Sequence, residues 1–112
     1  MKEMIHSYVF DKLCLAVRWL AIAQCSIQDR VCNAYLFHLI NVQETHLPEE
    51  LHGVLKEIEQ KLTQVSPISG KEESVRTTTS AMRADRASLI ADKIVYLFHQ
   101  AAKRYYTEGS KI

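Results

Sequence analysis

Leu13-Cys14-Leu15-Ala16-Val17-Arg18-Trp19-Leu20-Ala21-Ile22-Ala23 is the stretch on which the reading of this chain turns. It is the longest apolar run, and Arg18 is its only charge. The run is too short to span a bilayer. Read outward, Ile5, Val9, Leu13, Ala16, Leu20 and Ala23 recur at three- and four-residue spacing, which lines one face of a helix over about Ser7 to Gln24. The other faces are apolar as well, through Phe10, Cys14, Val17, Trp19 and Ile22.

Ser26, with Asp29 three residues on, marks the next helix start: the hydroxyl can accept from a free amide, and the carboxylate suits the positive first turn. The second helix is predicted from Ile27 to about Val42, and it too is apolar nearly all round. Leu47-Pro48-Glu49-Glu50 opens a third helix to about Gln64, because proline is tolerated where the first amides have no partner. Its apolar face is Leu51, Leu55, Ile58, Leu62 and Val65. Ser66-Pro67 to Gly70-Lys71 reads as a linker. Glu72 to Met82 reads as a short helix despite Thr77-Thr78-Thr79, whose β-branched side chains lower helix propensity. A last helix runs from about Asp85 to Tyr106, with Ile90, Ile94, Leu97, Phe98, Ala101 and Tyr105 inward.

The expected fold is therefore all-α, a four- to five-helix bundle in which the first two helices form a strongly apolar hairpin. Residues 1–107 make a single helical domain, and 108–112 a frayed tail. Composition agrees: of 112 residues, 47% are hydrophobic, and three glycines and two prolines are too few for the turns of a β-sandwich. Fourteen Lys and Arg against thirteen Asp and Glu leave no global field to attract nucleic acid. Cys14, Cys25 and Cys32 lie in apolar helical stretches, without a CxxC pair or a secretory leader pattern, and read as reduced cytoplasmic thiols.

Two helices without a polar side need more cover than the rest of a small bundle supplies. Either the hairpin is central and the remaining helices wrap it, or one of its faces is an oligomer interface. The expectation is the second: a self-associating protein-interaction module, most simply a homodimer, with room for a further protein partner. Arg18, Trp19, Tyr35 and Phe37 are the side-chain types that interfaces enrich, and Arg18 is expected to meet a carboxylate at or near the seam.

Chemistry finds little footing. His6, His38, His46, His52 and His99 include no pair at three- or four-residue spacing, so no metal is expected, and no cofactor either. Nucleophile elbows and phosphate-binding glycine loops are missing, and the reading leans away from an enzyme. Nucleic-acid binding is the alternative, through Arg83 and Arg86 before the last helix and Lys103 and Arg104 near its end. Arg30, Asn33 and His38 on one helix resemble the Arg-to-His motif of the HEPN ribonucleases, which are helical dimers. Here seven residues separate Arg30 from His38, wider than that motif.

The chain also resembles a group of small bacterial helical proteins of unknown activity. The likeness lies in Ser26-Ile27-Gln28-Asp29-Arg30, Asn33-Ala34-Tyr35-Leu36, Leu47-Pro48-Glu49-Glu50-Leu51, Leu62-Thr63 and Ala91-Asp92-Lys93-Ile94. Met82-Arg83-Ala84-Asp85-Arg86 stands where the group has a more acidic helix start. The resemblance implies a bacterial, cytoplasmic origin.

Overall fold

A computed structural model describes residues 7–109. Ile5, His6 and the tail beyond Gly109 lie outside them. Five α-helices are present, α1 (Ser7–Ile22), α2 (Ile27–Ala34), α3 (His52–Leu62), α4 (Lys71–Ser80) and α5 (Ala84–Gly109), and no strand occurs among the described residues. The all-helical bundle predicted from sequence is the fold. α5 is its spine, packing on α1, α2 and α3, while α4 closes against α2 and α3. Phe10, near the start of α1, stacks on Tyr105 at 4.3 Å and Phe98 at 6.0 Å, so α1 and α5 run antiparallel.

The predicted boundaries shift for local reasons. α1 stops at Ile22, before Gln24, because Arg30 reaches back across the turn. Its Nη1 donates to the Leu20 carbonyl and its Nε to that of Cys25, both at 3.1 Å, satisfying oxygens that no further helical turn supplies. The Asp29 amide donates to Ser26 Oγ at 3.1 Å, the cap read from the sequence. The second helix is not uniform to Val42. After Ala34 it widens into a π-helical turn, Tyr35–Leu39, whose Ile40 amide donates to the Tyr35 carbonyl at 2.8 Å. The third begins as a tight turn, Glu49–Leu51, before α3 proper.

The threonine-rich segment is helical because its hydroxyls find carbonyls and loop groups to bond. Thr79 Oγ1 donates to the Val75 carbonyl at 2.9 Å, a back-bond to the preceding turn. Ser74 and Thr78, both buried, hold one residue between them. The Val65 amide donates to Thr78 Oγ1 at 2.9 Å, and Ser74 Oγ donates to the Val65 carbonyl at 2.6 Å. The chain after α3 is thereby tied along α4, across Ser66, whose φ of 52° is left-handed. The linker read there is in part a short turn, Pro67–Ser69.

The core runs through all five helices. Val9, Leu13 and Ala16 of α1, Val31 and Ala34 of α2, Ile58 and Leu62 of α3, Val75 of α4, and Ile94 and Leu97 of α5 are completely enclosed. Each large aliphatic side chain there contributes about 1.5–3 kcal/mol relative to exposure.

Arg30 closes the α1–α2 hairpin with two hydrogen bonds from one planar group. Arg30→Met is expected to cost about 1 kcal/mol and to lower the melting temperature by roughly 5 °C. Arg30→Lys should recover little, since one ammonium cannot serve both carbonyls in the guanidinium's geometry. Thermal denaturation followed by circular dichroism reads both.

Candidate interaction surface

A helix advances about 100° per residue, so positions seven apart return to nearly the same side. Along α1, Tyr8, Leu15 and Ile22 have that spacing, and all three face outward, Leu15 at 45% exposure and Ile22 at 60%. Asp11 and Arg18, also seven apart and exposed, run beside them about 60° round the helix. Neither makes an ion pair or a side-chain hydrogen bond among the described residues. Lys12 lies over the Tyr8 ring, 5.6 Å from its centroid, and the same ring makes a T-shaped contact with His46 at 5.6 Å.

The π-helical turn adds Phe37 to this surface. Tyr35 and Leu39 both point inward and are fully enclosed, and Phe37, midway between them in the turn, faces out at 53% exposure. Its ring meets Trp19 edge-on at 5.6 Å and 78°. Trp19 is half-buried beneath it, and its indole N–H is enclosed without an acceptor. An unpaired buried donor costs about 1–3 kcal/mol, a cost the surrounding ring and aliphatic contacts outweigh. Leu15 and Ile22 lie one turn to either side of Trp19, so Leu15, Trp19, Ile22 and Phe37 form one apolar patch flanked by Asp11 and Arg18.

Tyr35 corrects the sequence reading. It was expected at the interface with Phe37, but it has no exposed surface. Its hydroxyl donates to Glu59 Oε2 at 2.9 Å, tying the π-helical turn to α3. Burial, followed by the Glu59 charge, pushes the phenol far above its usual range and keeps it protonated. Two residues apart on a helix means nearly opposite sides, so Tyr35 and Phe37 could not share a face.

The residues read for chemistry are dispersed. Arg30 is engaged at the end of α1. His38 stands against Lys12, which lies about 12 Å back along α1 from Leu20, so the two halves of the Arg-to-His pattern serve different neighbours. Burial, then the Lys12 charge, lowers the His38 pKa and favours the neutral ring. Arg83 and Arg86 sit at one end of α5 and Lys103 and Arg104 at the other, roughly 30 Å apart at about 1.5 Å per residue. Arg83 is paired with Asp85 at 3.2 Å, and Arg104 with Glu50. They do not form one basic surface. Among the described residues no three His, Cys, Asp or Glu side chains are grouped to hold a metal, and no helix is long and apolar enough to cross a membrane.

Protein-family models, curated proteins and solved structures contain no match to this chain. The surface has to be interpreted from its own geometry. Tyr8, Leu15 and Ile22 were not singled out from sequence, although their seven-residue spacing was there to be seen once Val9, Leu13 and Ala16 are assigned to the core.

Tyr35 and Phe37, close in sequence, should behave oppositely when truncated. Tyr35→Ala is expected to cost about 3–5 kcal/mol, a large part of a small domain's stability. Phe37→Ala should stay within about 1 kcal/mol. Urea denaturation measures both, and a Phe37→Ala variant that unfolds would place that ring in the core.

Proposed function

We propose that the protein is a homodimeric interaction module whose two-fold seam is the outward face of α1. The observation that carries this reading is the self-complementary order of that face. Running Tyr8, Asp11, Leu15, Arg18, Ile22, it has an apolar centre, an acid on one side, a base on the other and an apolar residue at each end. A two-fold interface brings each residue to its counterpart's position reversed, so residue i meets j and j meets i. Two copies of α1 laid antiparallel bring Leu15 against Leu15, Asp11 toward Arg18 of the second copy, and Tyr8 toward its Ile22.

The carboxylate and guanidinium left unpaired among the described residues are thus the groups that a second copy pairs. Trp19 and Phe37 widen the apolar centre with rigid aromatic area, as interface anchors do. The balanced net charge of the chain favours its own company over a strongly charged partner. Cysteines without disulfide partners fit a reducing compartment such as the cytoplasm. A dimer of this form leaves the α5 side of each protomer free for a further protein.

Sedimentation equilibrium at micromolar concentration tests the seam. The unaltered chain should sediment at twice its monomer mass, and Leu15→Glu at the monomer mass with unchanged helicity. Asp11→Arg or Arg18→Asp alone sets like charges opposite one another twice per dimer and should weaken association about tenfold or more, or about 1.4 kcal/mol. The two reversals together should restore it. A monomeric unaltered chain, or a dimer indifferent to all of these, contradicts the reading.

A further inference from the structure

Away from α1, the ends of α3 and α4 and the first turns of α5 enclose a cleft of about 560 Å³, within the size range of small-molecule sites. Its apolar wall is Val65, Met82, Leu89 and Ile90. The Val65 wall is fixed, since both backbone groups of that residue are held by hydroxyls of α4 at 2.9 and 2.6 Å. Leu89 stands 62% exposed at the mouth, an apolar side chain with little of the protein over it.

The charges around that wall are unbalanced. Lys61, Arg83, Arg86 and Lys93 line the cleft, against only Glu57 and Asp92. Lys93 is committed to Glu57 at 3.0 Å, and Arg83 is drawn to Asp85 outside the lining at 3.2 Å. The Lys61 ammonium and the Arg86 guanidinium have no carboxylate partner among the described residues, and they outnumber the one lining carboxylate, Asp92, that is likewise without an ion pair there. An apolar trough edged by uncommitted cations offers burial to a hydrocarbon body and charge-assisted hydrogen bonds to an anionic head.

We infer that this cleft binds a small amphipathic anion, an apolar chain or ring bearing one carboxylate or phosphate, with the head on Lys61 and Arg86 and the body along Val65, Met82, Leu89 and Ile90. The cations at the start of α5, which the sequence offered as nucleic-acid contacts, are here part of a small-molecule site. The cleft shares no residue with the α1 seam and stands or falls apart from it.

Decanoate below its micellar concentration, titrated by calorimetry and by amide chemical shifts, is the probe, with decanol as its uncharged counterpart. The expected result is one site per chain, at least tenfold weaker for decanol. Lys61→Glu/Arg86→Glu should weaken decanoate tenfold or more with unchanged helicity, since neither side chain is in the core. Leu15→Glu on α1 should leave binding intact. Phenyl phosphate should shift the same amides. The inference is overturned by decanoate and decanol binding alike, by neither anion binding, or by binding lost in Leu15→Glu but kept in the charge reversal. Sedimentation of the protein with phosphatidylglycerol vesicles while monomeric decanoate stays free overturns it in favour of a membrane surface.

Discussion

A helix at the edge of a bundle can turn only part of its circumference toward its neighbours, and α1 carries more apolar surface than that part accommodates. Val9, Phe10, Leu13, Ala16 and Leu20 fill the inward side and meet α2 and α5. Tyr8, Leu15 and Ile22 are left outside, together with an acid and a base that have no ion-pair partner among the described residues. The hydrophobic term that holds the bundle together also leaves this surface unsatisfied. The surplus is concentrated on α1, while α2, shortened to Ile27–Ala34, presents Asp29 to solvent and keeps Val31, Cys32 and Ala34 inside.

Much of the polar inventory that could suggest chemistry is spent on backbone groups. Arg30 serves the carbonyls at the end of α1, and Gln28 Nε2 donates to the Met82 carbonyl at 3.1 Å where α4 gives way to α5. Ser74 and Thr78 hold Val65, and Tyr35 engages Glu59. Buried or half-buried polar atoms need partners, and in a small bundle of short helices the helix ends supply most of them. Asp11 and Arg18 on α1 and Lys61 and Arg86 at the cleft have no ion-pair partner among the described residues, and their placement is accordingly informative.

Helix number and class were legible in the sequence, because periodicity, Ser26 and Pro48 are local signals. The helix over 71–80 was legible only in part. Its threonines argue against a helix one residue at a time; Thr77 and Thr79 bond back to the preceding turn, at Glu73 and the Val75 carbonyl, while Thr78 takes the Val65 amide of the loop after α3, a contact no local window contains. The π-helical turn had no proline or glycine to announce it, although the opposite facing of Phe37 and of the Tyr35–Leu39 pair follows from helical spacing alone. Tyr35 and Phe37 are both side-chain types that interfaces enrich, but helical spacing puts them on opposite sides, so residue type without geometry misplaces Tyr35. Leu15 was legible in principle but hidden among apolar neighbours, and the cleft, built from the ends of three helices, had no sequence signature at all.

The most direct measurement of the α1 seam is oxidative cross-linking at the residue that would sit on the symmetry axis. Leu15→Cys in a Cys25→Ser background should yield a covalent dimer rapidly under mild oxidation, because two copies of position 15 would face one another at the centre of the interface. Ser88→Cys, on the outer side of α5, should form no covalent dimer under the same treatment. Equal, slow cross-linking at both positions would mean that α1 has no preferred partner, and the two-fold account would be wrong.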